Sequence, residues 1–236
     1  MEKKYILTEE TKEVGGHILH RIQAMRDFGG VQKGDLGGWV ESEENLSHDG
    51  DCWIFGNGEV YGNGRVSGNG KVSGNGKVSG NGRVSDNGWV FGDGKVFGNG
   101  EVYDNGKVSD DGWVFGNGRV FGDGRVFGDG RVSGNGEVYG NGRVSDDGWV
   151  FGNAKIGFNA YISSPRSYFV QGPIGSRNDF LTCYLDKDKK IYAVTGCFCG
   201  SIEVFVKKVK AVHGMNRWAK QYLKAAEMAR VMLSGD

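Results

Sequence analysis

Along the middle of the chain an aliphatic residue returns at every sixth position. Ile54, Val60, Val66 and Val72 begin the series, and Val144, Val150, Ile156 and Ile162 end it with no slip in register. Two residues before each stands a small residue, glycine from Gly58 through Gly148 and then Ala154 and Ala160. A six-residue unit is under two helical turns, so the period excludes a helical repeat. It predicts a β-solenoid with one short strand and one corner per unit. In Gly64-Arg65-Val66-Ser67-Gly68-Asn69, strand alternation turns Gly64 and Val66 inward and Arg65 and Ser67 outward. Gly68-Asn69 then makes the corner, because glycine takes positive φ freely and asparagine reaches the left-handed region more readily than most residues. Asn or Asp holds that corner in every unit from Asn57 to Asn159, which predicts a hydrogen-bonded ladder of stacked amides along an edge.

The pattern of Val66 with Gly64, repeated at sixes, resembles the hexapeptide-repeat left-handed β-helix family. That resemblance implies three hexapeptides per triangular coil of about 18 residues, an exception to the right-handed crossover rule. Nineteen rungs from Ile54 to Ile162 then make about six coils. At a strand spacing of about 4.8 Å the rod is on the order of 30 Å long. Each wall of such a coil collects every third unit. One wall carries Trp53, Lys71, Trp89, Lys107, Arg125 and Arg143. The second carries Glu59, Lys77, Lys95, Trp113, Arg131 and Trp149, and the third Arg65, Arg83, Glu101, Arg119, Glu137 and Lys155. The position after the inward aliphatic is often aromatic, as at Phe91, Phe97, Tyr103, Phe121 and Phe151. So many outward rings are a liability on a lone chain. They predict self-association, a homotrimer by analogy with the family, or a ligand surface in which rings stack and cations hold phosphates.

The flanks break the period. Residues 1–48 contain strand-like runs at Tyr5–Thr8 and His17–Met25 and an imperfect echo of the repeat at Trp39-Val40 and Leu46, which reads as an N-terminal β cap. The solenoid occupies 49–163, and 164–236 reads as a small α+β domain. There Asp179–Leu185 and Ile191–Thr195 predict a hairpin. Ser201 caps a helix with Ile202, Phe205, Val206, Val209 and Val212 on its apolar face, ended by Gly214. A last helix, about 216–233, buries Trp218, Tyr222, Ala225, Ala226 and Ala229. The fold class is therefore mainly β, a parallel β-helix with a cap and a small α+β domain.

Composition narrows the function. The 236 residues balance 29 basic against 29 acidic side chains, which argues against general nucleic-acid binding or a polybasic membrane surface. No apolar stretch has signal-peptide or transmembrane length, and four cysteines do not make a disulfide framework, so the expectation is a cytoplasmic protein with reduced thiols. Gly175, Ser176, Arg177 and Asn178 form the best candidate ligand site, with exposed backbone N–H groups and anion-binding side chains. Arg125, Arg143, Trp113 and Trp149 are the candidates on the rod. Cys197-Phe198-Cys199, with Cys183 on a neighbouring strand, is a weak metal signal and reads as buried structural cysteine. No cofactor or metal is expected. The four histidines, His17, His20, His48 and His213, lie outside the regular coils. The catalytic histidine that acyltransferases of the hexapeptide family imply is therefore missing there.

Lys33–Glu41, Glu43–Ser47, the rod, and Gly172–Asp179 followed by Gly196-Cys197-Phe198 together resemble a group of uncharacterised phage and prophage proteins. The expectation is a non-enzymatic oligomer in a host bacterial cell that sequesters a small phosphate-bearing, nucleotide-like signal as an anti-defence factor. The alternatives are a structural rod or protein scaffold and, third, a hexapeptide-type acyltransferase.

Overall fold

A computed structural model describes residues 3–234. Nineteen two-residue rungs, from Trp53–Ile54 to Tyr161–Ile162, stack in parallel on three walls. Two walls hold seven parallel rungs each, counting Leu36–Val40 as the first on one of them, and the third holds six plus a bridge from Leu46 to Val66. The rod thus has about seven coils, one more than the regular repeat suggests. Val40 and Leu46 already belong to the first coil, and the corner from Leu46 to Ile54 is two residues longer than the rest, which hides the period.

The core is a column of inward aliphatics. Val72, Val90, Val108 and Val126 are completely buried in one such file, and burial of each side chain stabilises by about 1.5–3 kcal/mol. Neighbouring coils are tied rung by rung, as where Lys71 N–H donates to Gly88 O (2.9 Å) and Ser73 N–H to Val90 O (2.9 Å). The inward glycines are required by the next coil. A Cβ on Gly106 would sit 2.4 Å from the Val120 carbonyl oxygen. Ala154 and Ala160 stand where no further coil of the rod lies above them, so their methyl groups are tolerated.

All three corners carry the amide ladder, not one edge alone. The longest runs Asn63, Asn81, Asn99, Asn117, Asn135, Asn153, each Nδ2 donating to the next Oδ1 at 2.9–3.1 Å. The other two corners end at or pass through aspartates, as Asn75 to Asp93 and Asn105 to Asp123. The outward rings also stack from coil to coil. Tyr103 lies on Phe121 (5.0 Å) and Phe121 on Tyr139 (5.4 Å), so each half covers the next.

The N-terminal hairpin, Tyr5–Val14 with His17–Ala24, joins the wall that begins at Leu36–Val40. Lys4 is fully buried beneath it, its ammonium 3.0 Å from Cys52 O and 3.1 Å from Cys52 Sγ. Lys12 and Lys77 both pair with the buried Glu59, at 2.7 and 2.8 Å. Burial alone would raise the Glu59 carboxyl, but the two ammonium groups outweigh it and hold it below the usual carboxylate range.

Beyond the last coil lies a four-stranded antiparallel sheet of Tyr168–Ile174, Asp179–Leu185, Ile191–Thr195 and Phe198–Ser201. One face turns Tyr184 and Val194 onto the end of the rod, and the other packs Leu181, Cys183 and Ala193 against α1 (Ile202–His213) and α2 (Arg217–Leu233). Ser201 Oγ accepts from Val204 N–H as expected. Val212 is 66% exposed and Trp218 only half-buried, because α1 and α2 bury narrower stripes than their sequences suggest. No helix among the described residues is long and apolar enough to cross a membrane.

Candidate functional site

Two hairpin turns meet at one end of the C-terminal sheet. The first, residues 175–178, is bent by Gly175 (φ 75°) and Asn178 (φ 52°). The second holds Gly196 and Cys197. Their approach is close: a Cβ on Gly196 would lie 3.2 Å from Arg177 Nη1. Between these turns and the helices opens a crevice of about 280 Å³. Its floor is apolar, from Phe198, Phe205, Val209 and Tyr222. Polar groups reach it from three directions: Ser176 and Arg177 from the first turn, Cys197 from the second, and Lys208 and His213 from α1.

The thiol of Cys197 is exposed and lies 3.9 Å from the Arg177 guanidinium. Lys208 Nζ sits over the Phe198 ring at 5.4 Å, and the His213 ring is 6.0 Å from Tyr222. Tyr222 also fills the space beside Gly175, where any side chain would collide with it. The Gly175 N–H donates to Gln221 Oε1 at 2.9 Å, so this amide is already satisfied. Ser176 and Arg177 of the proposed turn therefore face the crevice, whereas Gly175 and Asn178 shape the turn.

The cysteines separate. Cys197 lies in the turn rather than buried on a strand. Cys199 and Cys183 face opposite sides of the sheet, since Cys199 aligns with Val194 and Thr182 while Cys183 aligns with Ala193 and Gly200. Burial pushes the Cys183 thiol up to about 12, with Arg230 opposing weakly, so this thiol is inert at neutral pH. Among the described residues no group of three or more His, Cys, Asp or Glu is arranged to hold a metal ion.

The rod candidates lie elsewhere and on two walls. Arg125 and Arg143 are in register on adjacent coils of one wall. Trp113 and Trp149 lie on another, with Arg131 between them and its guanidinium 5.3 Å from the Trp113 ring. Neither group meets the crevice. Sequence reasoning did not place His213 or Lys208 in a site. The signal available was their place on one helix, Lys208 in the middle of α1 and His213 at its end, but the packing of α1 against the two hairpin turns is a long-range contact.

No known protein-family profile matches the chain. The chain is similar to a protein of Escherichia coli strain K12 named as the uncharacterized acetyltransferase YdcK, with 34% identity over 61 residues, 22% of this chain and 19% of that protein. The chain thus spans about a fifth of that relative's length. This finding overturns the expectation of a non-enzyme. That expectation rested on histidines missing from the coils, and the structure instead puts His213 in the same crevice as an exposed thiol. A phage origin, an anti-defence role and nucleotide sequestration gain no support from the fold or from this similarity.

Proposed function

We propose that the protein is an acyl-transferring β-solenoid enzyme whose acyl-handling site is the C-terminal crevice. The observation that carries this reading is the convergence of an exposed thiol, an imidazole and two cations on one apolar floor. The similarity to a protein named an acetyltransferase supports the reaction class. In the proposed chemistry Cys197 Sγ attacks the carbonyl carbon of an acyl thioester while His213 takes the thiol proton. The carbon–sulfur bond of the donor breaks, and its thiolate leaves with the proton from His213. A nucleophile on the acceptor then takes the acyl group from Cys197 and restores the thiol. Arg177 and Lys208 hold the anionic part of the donor, and the Phe198–Phe205 floor takes its apolar part.

The test is incubation of the full chain with acetyl-coenzyme A and a panel of amine and hydroxyl acceptors, following free thiol release and intact protein mass. The expected result is one acetyl group on Cys197, absent in Cys197→Ala. Thiol release should fall by about a hundredfold in His213→Ala. No thiol release with any acceptor, or full activity in Cys197→Ala, overturns the proposal.

A further inference from the structure

The wall that carries Trp53 differs from the other two in how its charges are paired. Lys107, Arg125 and Arg143 stand in register on three successive coils. Like charges directly opposite on neighbouring strands repel. Among the described residues, none of these three lies within ion-pair distance of a carboxylate, and neither does Lys187. Lys187 extends the run from another part of the fold. Its turn is bridged to the last coil through Ala160 and Asp186, and Asp186 Oδ1 accepts from the N–H groups of Asp188 and Lys190 at 2.9 and 2.8 Å. Arg125, Arg143 and Lys187 line one cleft of about 430 Å³ together with Asp123 and Tyr161. A second hollow of about 350 Å³ continues the strip past Lys107 and Trp89 to Lys71.

Both corners that border this wall are acidic. Asp86, Asp104 and Asp123 stand on one, and Asp93, Asp110, Asp111, Asp129, Asp146 and Asp147 on the other. The cationic strip is therefore about one side chain wide. A duplex nucleic acid or a membrane laid across it brings its phosphates onto the flanking carboxylates. A thin chain with closely spaced charges avoids them. We infer that the column Lys107–Arg125–Arg143, closed by Lys187, binds a linear oligophosphate, whose anionic groups together screen the in-register cations.

This site is separate from the crevice and stands or falls without it. The probe is inorganic tripolyphosphate, compared with pyrophosphate and orthophosphate by calorimetry on the full chain. The expected result is saturable binding that strengthens with chain length and weakens by about tenfold in Arg125→Ala or Arg143→Ala. Arg119→Ala on another wall should leave it unchanged. The variant Arg125→Glu reverses the charge at the centre of the column, so it should abolish the shift in melting temperature that the probe induces. Equal binding in Arg125→Ala, Arg143→Ala and the parent chain overturns the inference. So does duplex DNA competing as well as tripolyphosphate, or a probe-induced melting shift in Arg125→Glu equal to that of the parent chain. Binding of a nucleoside triphosphate with none of tripolyphosphate overturns it too, because a base would then be read instead of the run of charges.

Discussion

Two walls of one rod, built on the same hexapeptide, handle charge in opposite ways. On the wall that begins at Arg65, signs alternate upward from Arg83 through Glu101, Arg119 and Glu137 to Lys155. Arg119 pairs with Glu137, and Arg83 lies 3.8 Å from Glu101. On the wall that begins at Trp53, cations follow one another with no anion among them. The backbone, the buried valines and the corner turns are shared. The difference therefore lies wholly in outward side chains, which the stack does not need for its own formation. The period decides where a side chain stands but leaves its sign free. An uncompensated run is then a cost that folding did not require.

Disrupting a coil on which both walls hang has the largest expected effect. Gly106→Ala forces a methyl group against the Val120 carbonyl and should cost about 3 kcal/mol in urea or thermal unfolding, with both walls lost together. Gly152→Ala, at φ 66° with open space around it, should cost less, which separates crowding by the next coil from backbone strain.

The wall that carries Glu59 and Lys77 offers a covered version of charge pairing. Glu59→Gln leaves Lys12 and Lys77 without their carboxylate and should cost about 2 kcal/mol. The native Glu59 carboxyl is held below its usual range, so its contribution is fully present above the ordinary carboxylate range. That contribution is lost as pH falls through the depressed native value. A melting series in acid should show this slope in the parent chain and a flatter one in Glu59→Gln. A smaller effect tests the exposed pairs directly. Glu101→Lys with Glu137→Lys makes the alternating wall resemble its neighbour and should cost about 1 kcal/mol at low salt, recovering as salt is added. Asn117→Ala, inside the longest amide ladder, should cost about 0.5 kcal/mol and leave both walls otherwise intact, because it sits on the corner rather than on a wall.

The period made the rod legible. Val66, Gly64 and Asn69 each occupy the place their spacing assigns, and the three walls follow from counting by 18. The corner ladders were legible for the same reason, since asparagines 18 apart stack without any long-range event. The extra coil was not, because the longer corner around Cys52 breaks the spacing, and the buried Lys4 reaches that corner from outside the repeat, bonding to Cys52 O and Sγ. The crevice was half legible. Arg177 and Ser176 stood out in a turn rich in anion-binding groups, but Cys197 and His213 are joined through α1, and their meeting depends on how that helix docks. Residues read as one motif, Cys197 and Cys199, part company because one lies in a turn and the other in a strand.

The stack repeats in registered steps, and that makes it an angular index as well as a spacer. Loss or gain of three hexapeptides restores every wall to its former column and changes only the height of the rod. Loss or gain of a single hexapeptide advances everything beyond it by a third of a revolution. The C-terminal sheet, with its crevice and with Lys187, would then sit over a different wall while each remaining coil stayed intact. Rod length in this architecture is thus adjustable freely in threes, and any other change re-aims the domain it carries.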